Sequence, residues 1–133
     1  MLGDKIYEGT GKVTGQRVLS TEGGPKVETS FADAGKLLGV DATQMGTYQA
    51  IVRADGTLFG HGQGVQMGKN GEMVSWVGQG VGTFTGPGAV RFRGAVYFES
   101  ASPSWARLNS VAGVYEYEAD ANGNTRLQTW EWK

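Results

Sequence analysis

Gly60 to Gly82, GHGQGVQMGKNGEMVSWVGQGVG, places two runs of alternating glycine on either side of Asn70-Gly71. The runs are Gly60-His61-Gly62-Gln63-Gly64 and Gly78-Gln79-Gly80-Val81-Gly82. Asn-Gly marks a tight hairpin, because both of its residues tolerate positive φ. Glycine at every second strand position strips the side chains from one face of the sheet, which permits close backbone approach or leaves space. The segment therefore reads as two antiparallel strands with room on one side. Working outward, Asp55-Gly56, Pro87-Gly88 and Asn122-Gly123 divide the flanking sequence at similar intervals. Alternation of period two dominates throughout.

Eight strands follow: Ile6–Leu19, Val27–Ala34, Gly46–Arg53, Thr57–Met67, Glu72–Phe84, Ala89–Ser100, Val111–Ala119 and Thr125–Trp132. Ala32–Val40 is the one stretch that reads as a helical turn, and Ser102-Pro103-Ser104-Trp105 lies in the longest late connection, placed to cover one end. Eight antiparallel strands in 133 residues suit a single domain, residues 1–133, folded as an all-β, closed up-and-down barrel of the calycin-like kind or as a two-sheet sandwich. The barrel also removes free edges.

Composition excludes several classes. The net charge of −1, with both signs dispersed, gives no basis for nucleic-acid or membrane-surface binding. No cysteine rules out a disulfide framework and thiolate chemistry, and one histidine rules out a multi-histidine metal site within the chain. No cofactor or metal is expected. Neither a signal-length apolar stretch nor a transmembrane run is present, so a cytoplasmic location is expected. The glycine runs lie within strands and are not phosphate loops. Asp120-Ala121-Asn122-Gly123-Asn124 lacks the spacing of a calcium loop and reads as a turn.

With two-residue hairpin loops, register follows by counting. Gln49 then pairs with Gly62, Gly62 with Gln79, Gln79 with Val96, and Thr83 with Phe92. In the last hairpin Tyr115, Tyr117, Gln128, Trp130 and Trp132 share one face, and Glu116, Glu118 and Glu131 the other. Burying the aromatic side is favourable and burying three carboxylates costly. The aromatic side is thus expected inside, with the Gln49–Gly62–Gln79 row. Gln49, Gly62, Gln79, Phe92, Tyr115, Tyr117, Gln128 and Trp130 are the expected ligand-binding residues, an apolar wall with a few amides and hydroxyls. Outside are expected His61, Arg91 and Arg93 facing Glu116 or Glu118, and an apolar patch of Tyr48, Phe59, Val65, Met67, Trp76 and Phe84. Such a patch points to a homo-oligomer, a dimer or trimer.

Gly78-Gln79-Gly80-Val81-Gly82-Thr83-Phe84-Thr85-Gly86, with the turn and strand to Gly94, resembles the Gly-x-Gly-x-Phe-x-Gly strand of the allene oxide cyclase and dirigent barrel superfamily, and small bacterial proteins assigned to it. The resemblance covers about twenty residues. It implies an eight-stranded barrel, an apolar central cavity and often a trimer. It also implies a polar group deep in the barrel that holds a water, a part open to Gln49 or Gln79, since no inward carboxylate is expected. Three functions remain open: binding of a small apolar or amphipathic molecule, cofactor-independent cyclisation or isomerisation by folding a substrate, and a filled barrel with a structural role.

Overall fold

The alternation of side chains produces eight strands in the computed structural model, which describes all residues, Met1–Lys133. They are β1 (Leu2–Ser20), β2 (Lys26–Leu37), β3 (Val40–Val52), β4 (Leu58–Gly68), β5 (Met73–Gly86), β6 (Ala89–Glu99), β7 (Ala112–Ala119) and β8 (Asn124–Trp132). Each pairs antiparallel with the next, and β8 pairs with β1, so the sheet closes into an up-and-down barrel. Closure satisfies every strand laterally and leaves no free edge. No helix is long and apolar enough to cross a membrane.

The turns set the registers, and they differ from the two-residue loops expected. At Asp55-Gly56 only glycine has positive φ, +86°. Gly56 N–H donates to Arg53 O at 2.9 Å, and Arg53 N–H to Thr57 O at 2.8 Å. The loop is therefore Ala54-Asp55-Gly56, a type I turn closed by a left-handed glycine bulge. Lys69-Asn70-Gly71 and Ala121-Asn122-Gly123 repeat the pattern, through Gly71 N–H to Gly68 O at 3.1 Å and Gly123 N–H to Asp120 O at 3.0 Å. The Asp120 carboxylate secures its turn by accepting from the backbone of Asn122 and Asn124, both at 2.9 Å. Each three-residue loop shifts the ladder by one position. Gly62 pairs with Tyr48 and Gly78, and Gln79 with His61 and Ala95. Pro87-Gly88 does make a two-residue loop, but a bulge between Phe84 and Gly86 produces the same shift beyond it, pairing Thr83 with Arg91.

Ala32–Val40 is not helical. β2 runs on to Leu37, and Leu38-Gly39 forms the two-residue turn, with φ of +49° and +81°. Leucine is a poor choice for a left-handed position, but Leu38 packs against the core and its N–H donates to Ile6 O at 2.9 Å.

One barrel end is closed by the 3₁₀ segment Pro103–Ser110, which occupies the long connection expected to cover an end. Trp105 and Leu108 are fully buried there beside Ile6, Leu37 and Val74. A Cβ on Gly68 would collide with the Glu72 carboxylate and sit 3.0 Å from the Trp105 ring, so bare backbone makes room for both. The segment is fastened at its base: Asn109 donates to Ser100 O and accepts from Ser100 N–H, each at 2.8 Å, while Ser100 Oγ donates to Met73 O at 2.6 Å.

Candidate functional site

Inside the barrel the inward side chains of neighbouring strands meet in layers. Below the capped end lies a polar layer, built from β1 to β5. The Tyr7 hydroxyl donates to Asp33 Oδ1 at 2.5 Å. Gln44 Nε2 donates to both Asp33 oxygens, at 3.1 and 2.9 Å. Gln44 Oε1 in turn accepts from Trp76 Nε1 at 2.7 Å and from Gln66 Nε2 at 3.1 Å. Indole can only donate, so Trp76 fixes which end of the Gln44 amide faces it. The Gln44 amide then fixes Gln66, whose Oε1 has no partner although the residue is only 2% exposed. A buried acceptor without a donor is costly, of order 1–3 kcal/mol.

Burial pushes the Asp33 carboxyl above its usual range, outweighing the donated bonds from Tyr7 and Gln44 that act the other way. Burial likewise raises the Tyr7 hydroxyl, with the adjoining Asp33 reinforcing it.

Across the waist runs an aromatic layer. Phe31 and Tyr117 ring centres are 5.2 Å apart, Tyr48 and Tyr117 5.4 Å, and Tyr48 and Phe92 5.5 Å, in tilted or edge-on arrangements. These are favourable geometries for aromatic pairs. The hydroxyls of Tyr48 and Tyr117 lie 3.4 Å apart. Burial raises both phenols and lifts Tyr115 to about 12, so all three are neutral donors at ordinary pH.

Between the polar and aromatic layers is a cavity of about 60 Å³, mostly apolar, with Gln44, Gln66 and Thr129 among its walls. Of the glycines along it, Gly60 and Gly78 leave the most room, a Cβ there coming no nearer than 3.1 Å to other atoms, whereas one on Gly62 would collide with Thr47 O and Tyr48. Other inward glycines are filled by neighbours: a Cβ on Gly80 would collide with the Tyr115 hydroxyl, and one on Gly82 with the Phe92 ring. Beyond the aromatic layer, toward the end without the 3₁₀ cap, lies a second space of about 220 Å³. Val13, Val27, Val52, Leu58 and Phe84 line it, and Tyr48 and Phe92 border both spaces.

Of the residues expected from sequence, Gly62, Phe92, Tyr115 and Tyr117 line the inner cavity. Gln49, Gln79, Gln128 and Trp130 stand on the outside of the barrel. Gln49 and Gln79 flank the exposed His61 there. Gln128 donates to Glu8 Oε2 at 2.9 Å, and Trp130 lies 5.7 Å beneath Lys5 Nζ. The reason is parity: each hairpin is one residue longer in effect than the two-residue loop assumed, so faces counted as continuous alternate between inside and outside. The same shift brings Tyr48 and Trp76 inside and sets Phe84 at the mouth, while Phe59, Val65 and Met67 remain outside. Arg91 and Arg93 do face outward, with Nε atoms 3.6 and 3.8 Å from Glu118 and Glu116.

The polar layer was missed in the sequence. Asp33 is an inward carboxylate where none was expected: it falls where the strand Val27–Ala34 overlaps the stretch that reads as a helical turn, and the sequence assigns that strand no face. Gln44 and Gln66 each lie two residues from a glycine in an alternating strand, Gly46 and Gly64. That pattern is the available signal once register is known.

No family model matches the chain, and no curated protein is significantly similar to it. Solved structures with the same architecture exist. A protein with unknown function from Clostridium acetobutylicum superposes with a TM-score of 0.84 at 15% identity, covering 98% of each chain. A β-barrel-like protein from Acinetobacter baumannii gives 0.83 at 12% identity, covering 100% of this chain and 96% of that one. An enzyme from Penicillium herquei gives 0.65 at 14% identity, with 98% and 96% covered. At such identities the likeness is one of fold: this chain is a small closed β-barrel of a kind found both in proteins of unknown function and in an enzyme.

Proposed function

We propose that the barrel binds a small, largely apolar molecule that enters through the uncapped end and seats its far end in the inner cavity. The observation carrying this reading is the cavity beside Gly62 and Gly78, enclosed by aromatic rings and bordered by one polar layer. Ligand sites are typically mostly apolar, with a few fixed polar groups. The outer space, about 220 Å³, lies just below the range of ligand pockets, roughly 300 Å³ upward, and rotation of the Tyr48 and Phe92 rings that border both spaces would join it to the inner cavity. Gly78→Ala tests it. The new methyl would meet Ala95 O at 3.1 Å, touch Val96 at an ordinary 3.7 Å, and occupy the wall of the cavity. Native mass spectrometry should show a small molecule retained stoichiometrically by the wild type, and titration with that molecule should show about a tenfold loss in the variant, the scale of one methyl in a tight pocket. A wild type that retains nothing and binds no apolar probe would leave a filled barrel.

A catalytic reading is favoured by one observation, the buried Asp33–Tyr7 pair behind the cavity, and the Penicillium herquei enzyme with the same barrel is consistent with it. In that reading the chain belongs to the allene oxide cyclase-like superfamily, and the walls fold a substrate for cyclisation or isomerisation. Holding reacting atoms together can supply most of such a rate enhancement. Product formation abolished by Gln44→Leu, with ligand still bound, distinguishes catalysis from binding alone.

The outer surface of β3–β5 supports self-association. From Thr43 to Thr83 no outward strand position carries Asp, Glu, Lys or Arg. Met45, Met67, Met73, Val77, Val81 and, on β6, Tyr97 are exposed there. An uncharged face can meet its own copy without like-charge repulsion. Val77→Glu should lower the assembly mass in sedimentation, whereas Val18→Glu on β1 should not. A wild-type monomer at all concentrations rejects this surface.

A further inference from the structure

The hydrogen-bond polarity of the inner layer runs in one direction, and that direction specifies what the cavity accepts. Asp33 is the start, an acceptor at both oxygens. Gln44 passes the polarity on, donating to Asp33 and accepting twice at Oε1. Gln66 ends it with an amide oxygen that nothing satisfies, on a buried side chain bordering the cavity. Turning the Gln66 amide over does not help, because its oxygen would then face Gln44 Oε1. Neither space is lined by lysine or arginine, and His61, in the wall between Gly60 and Gly62, is exposed on the barrel exterior. The carboxyls nearest the cavities are Asp33 behind the inner one and Asp120 at the outer rim, the latter with Lys12 acting on it from outside the lining.

Resting on the binding reading above, we infer that the cavity selects neutral ligands bearing a hydroxyl or N–H group and rejects carboxylates. Gln66 Oε1 is itself almost wholly occluded behind the wall, so a donor reaches it once the Gln66 side chain turns slightly into the cavity, and there supplies the missing bond. An anion entering the same space finds only carbonyl and π-face negative potential, loses its hydration, and gains no cation in return. A ligand without a donor leaves the acceptor unpaired, and sites built around a polar group discriminate strongly against analogues lacking its partner.

The test uses three probes with one ring system: 2-naphthol, 2-methoxynaphthalene and 2-naphthoate, titrated calorimetrically into wild type and Gln66→Met. Methionine keeps the chain length and leaves Gln44 Oε1 bonded to Trp76. Wild type should bind naphthol at least about tenfold more tightly than either competitor. Gln66→Met should bring naphthol and its methyl ether to near-equal affinity. Equal binding of the ether by wild type, tighter binding of the naphthoate, or a preference that survives Gln66→Met would overturn the inference while leaving a pocket. Failure of all three probes to bind would overturn the binding reading beneath it.

Discussion

Replacing Trp105 with alanine should lower the unfolding free energy by about 3–5 kcal/mol, the range for removing a fully buried large aromatic. Trp105 is 1% exposed, and its 3₁₀ segment is too short to hold itself in place by helical hydrogen bonding. What holds it is the indole between the barrel walls, with Leu108 beside it, and the Asn109–Ser100 bonds at its base. Alanine removes the ring and opens the capped end over Ile6, Leu37 and Val74. Gly68, bare to admit the indole, cannot fill the gap. Urea unfolding of the variant, with Trp132→Ala as control, separates this from a general tryptophan effect. Trp132 is 63% exposed, and its loss should stay within about 0.5 kcal/mol. A loss under about 1 kcal/mol for Trp105→Ala would mean that the segment is a lid that can lift, not part of the core.

The barrel itself was legible in the chain because it depends on strand count and turn spacing, which a shift of one residue does not alter. Eight alternating segments and their turn glycines survive such a shift. The site does not, because its composition depends on parity. Asn70-Gly71 and Asn122-Gly123 suit both a two-residue loop with two left-handed residues and a three-residue loop with one. Local preference does not choose between them. Choosing the first exchanged Gln49 and Gln79 for Tyr48 and Gly78 inside the barrel. Phe92, Tyr115 and Tyr117 escaped the error because their placement rested on the cost of burying Arg91, Arg93, Glu116 and Glu118, which is independent of the loop. Asp33 was hidden for a different reason. Leu38-Gly39 does not look like a hairpin turn, so the strand Val27–Ala34 has no countable register with the next one and its carboxylate has no assigned face.

Asp33→Asn should cost about 2–3 kcal/mol despite near-identical shape, because the layer it anchors tolerates only one polarity. The introduced asparagine can still accept from Tyr7 and, at the longer 3.1 Å, from Gln44 through its amide oxygen, but its amino group replaces the oxygen that accepts from Gln44 Nε2 at 2.9 Å, setting donor against donor. Turning the Gln44 amide over satisfies the asparagine and moves the conflict inward, since the Gln44 amino group would now face Trp76 Nε1–H and the Gln66 amino group. Trp76 has no acceptor to offer, so the mismatch travels along the layer without disappearing. The indole N–H resonance of Trp76 should shift in the variant, while a defect confined to position 33 would leave it in place. The pH dependence supplies a second readout. Burial raises the Asp33 carboxyl in the folded state, so between the two values the native protein holds a proton that the unfolded chain, titrating near about 3.9, has released. Stability from this site is therefore greatest below the unfolded value, declines as pH rises to the folded one, and is level above it. The penalty of Asp33→Asn should shrink over the same interval, since asparagine does not titrate. A penalty unchanged from acid to neutral pH would mean that Asp33 ionises in the barrel as freely as in water, and a variant as stable as wild type would mean that the amides can reorient without loss.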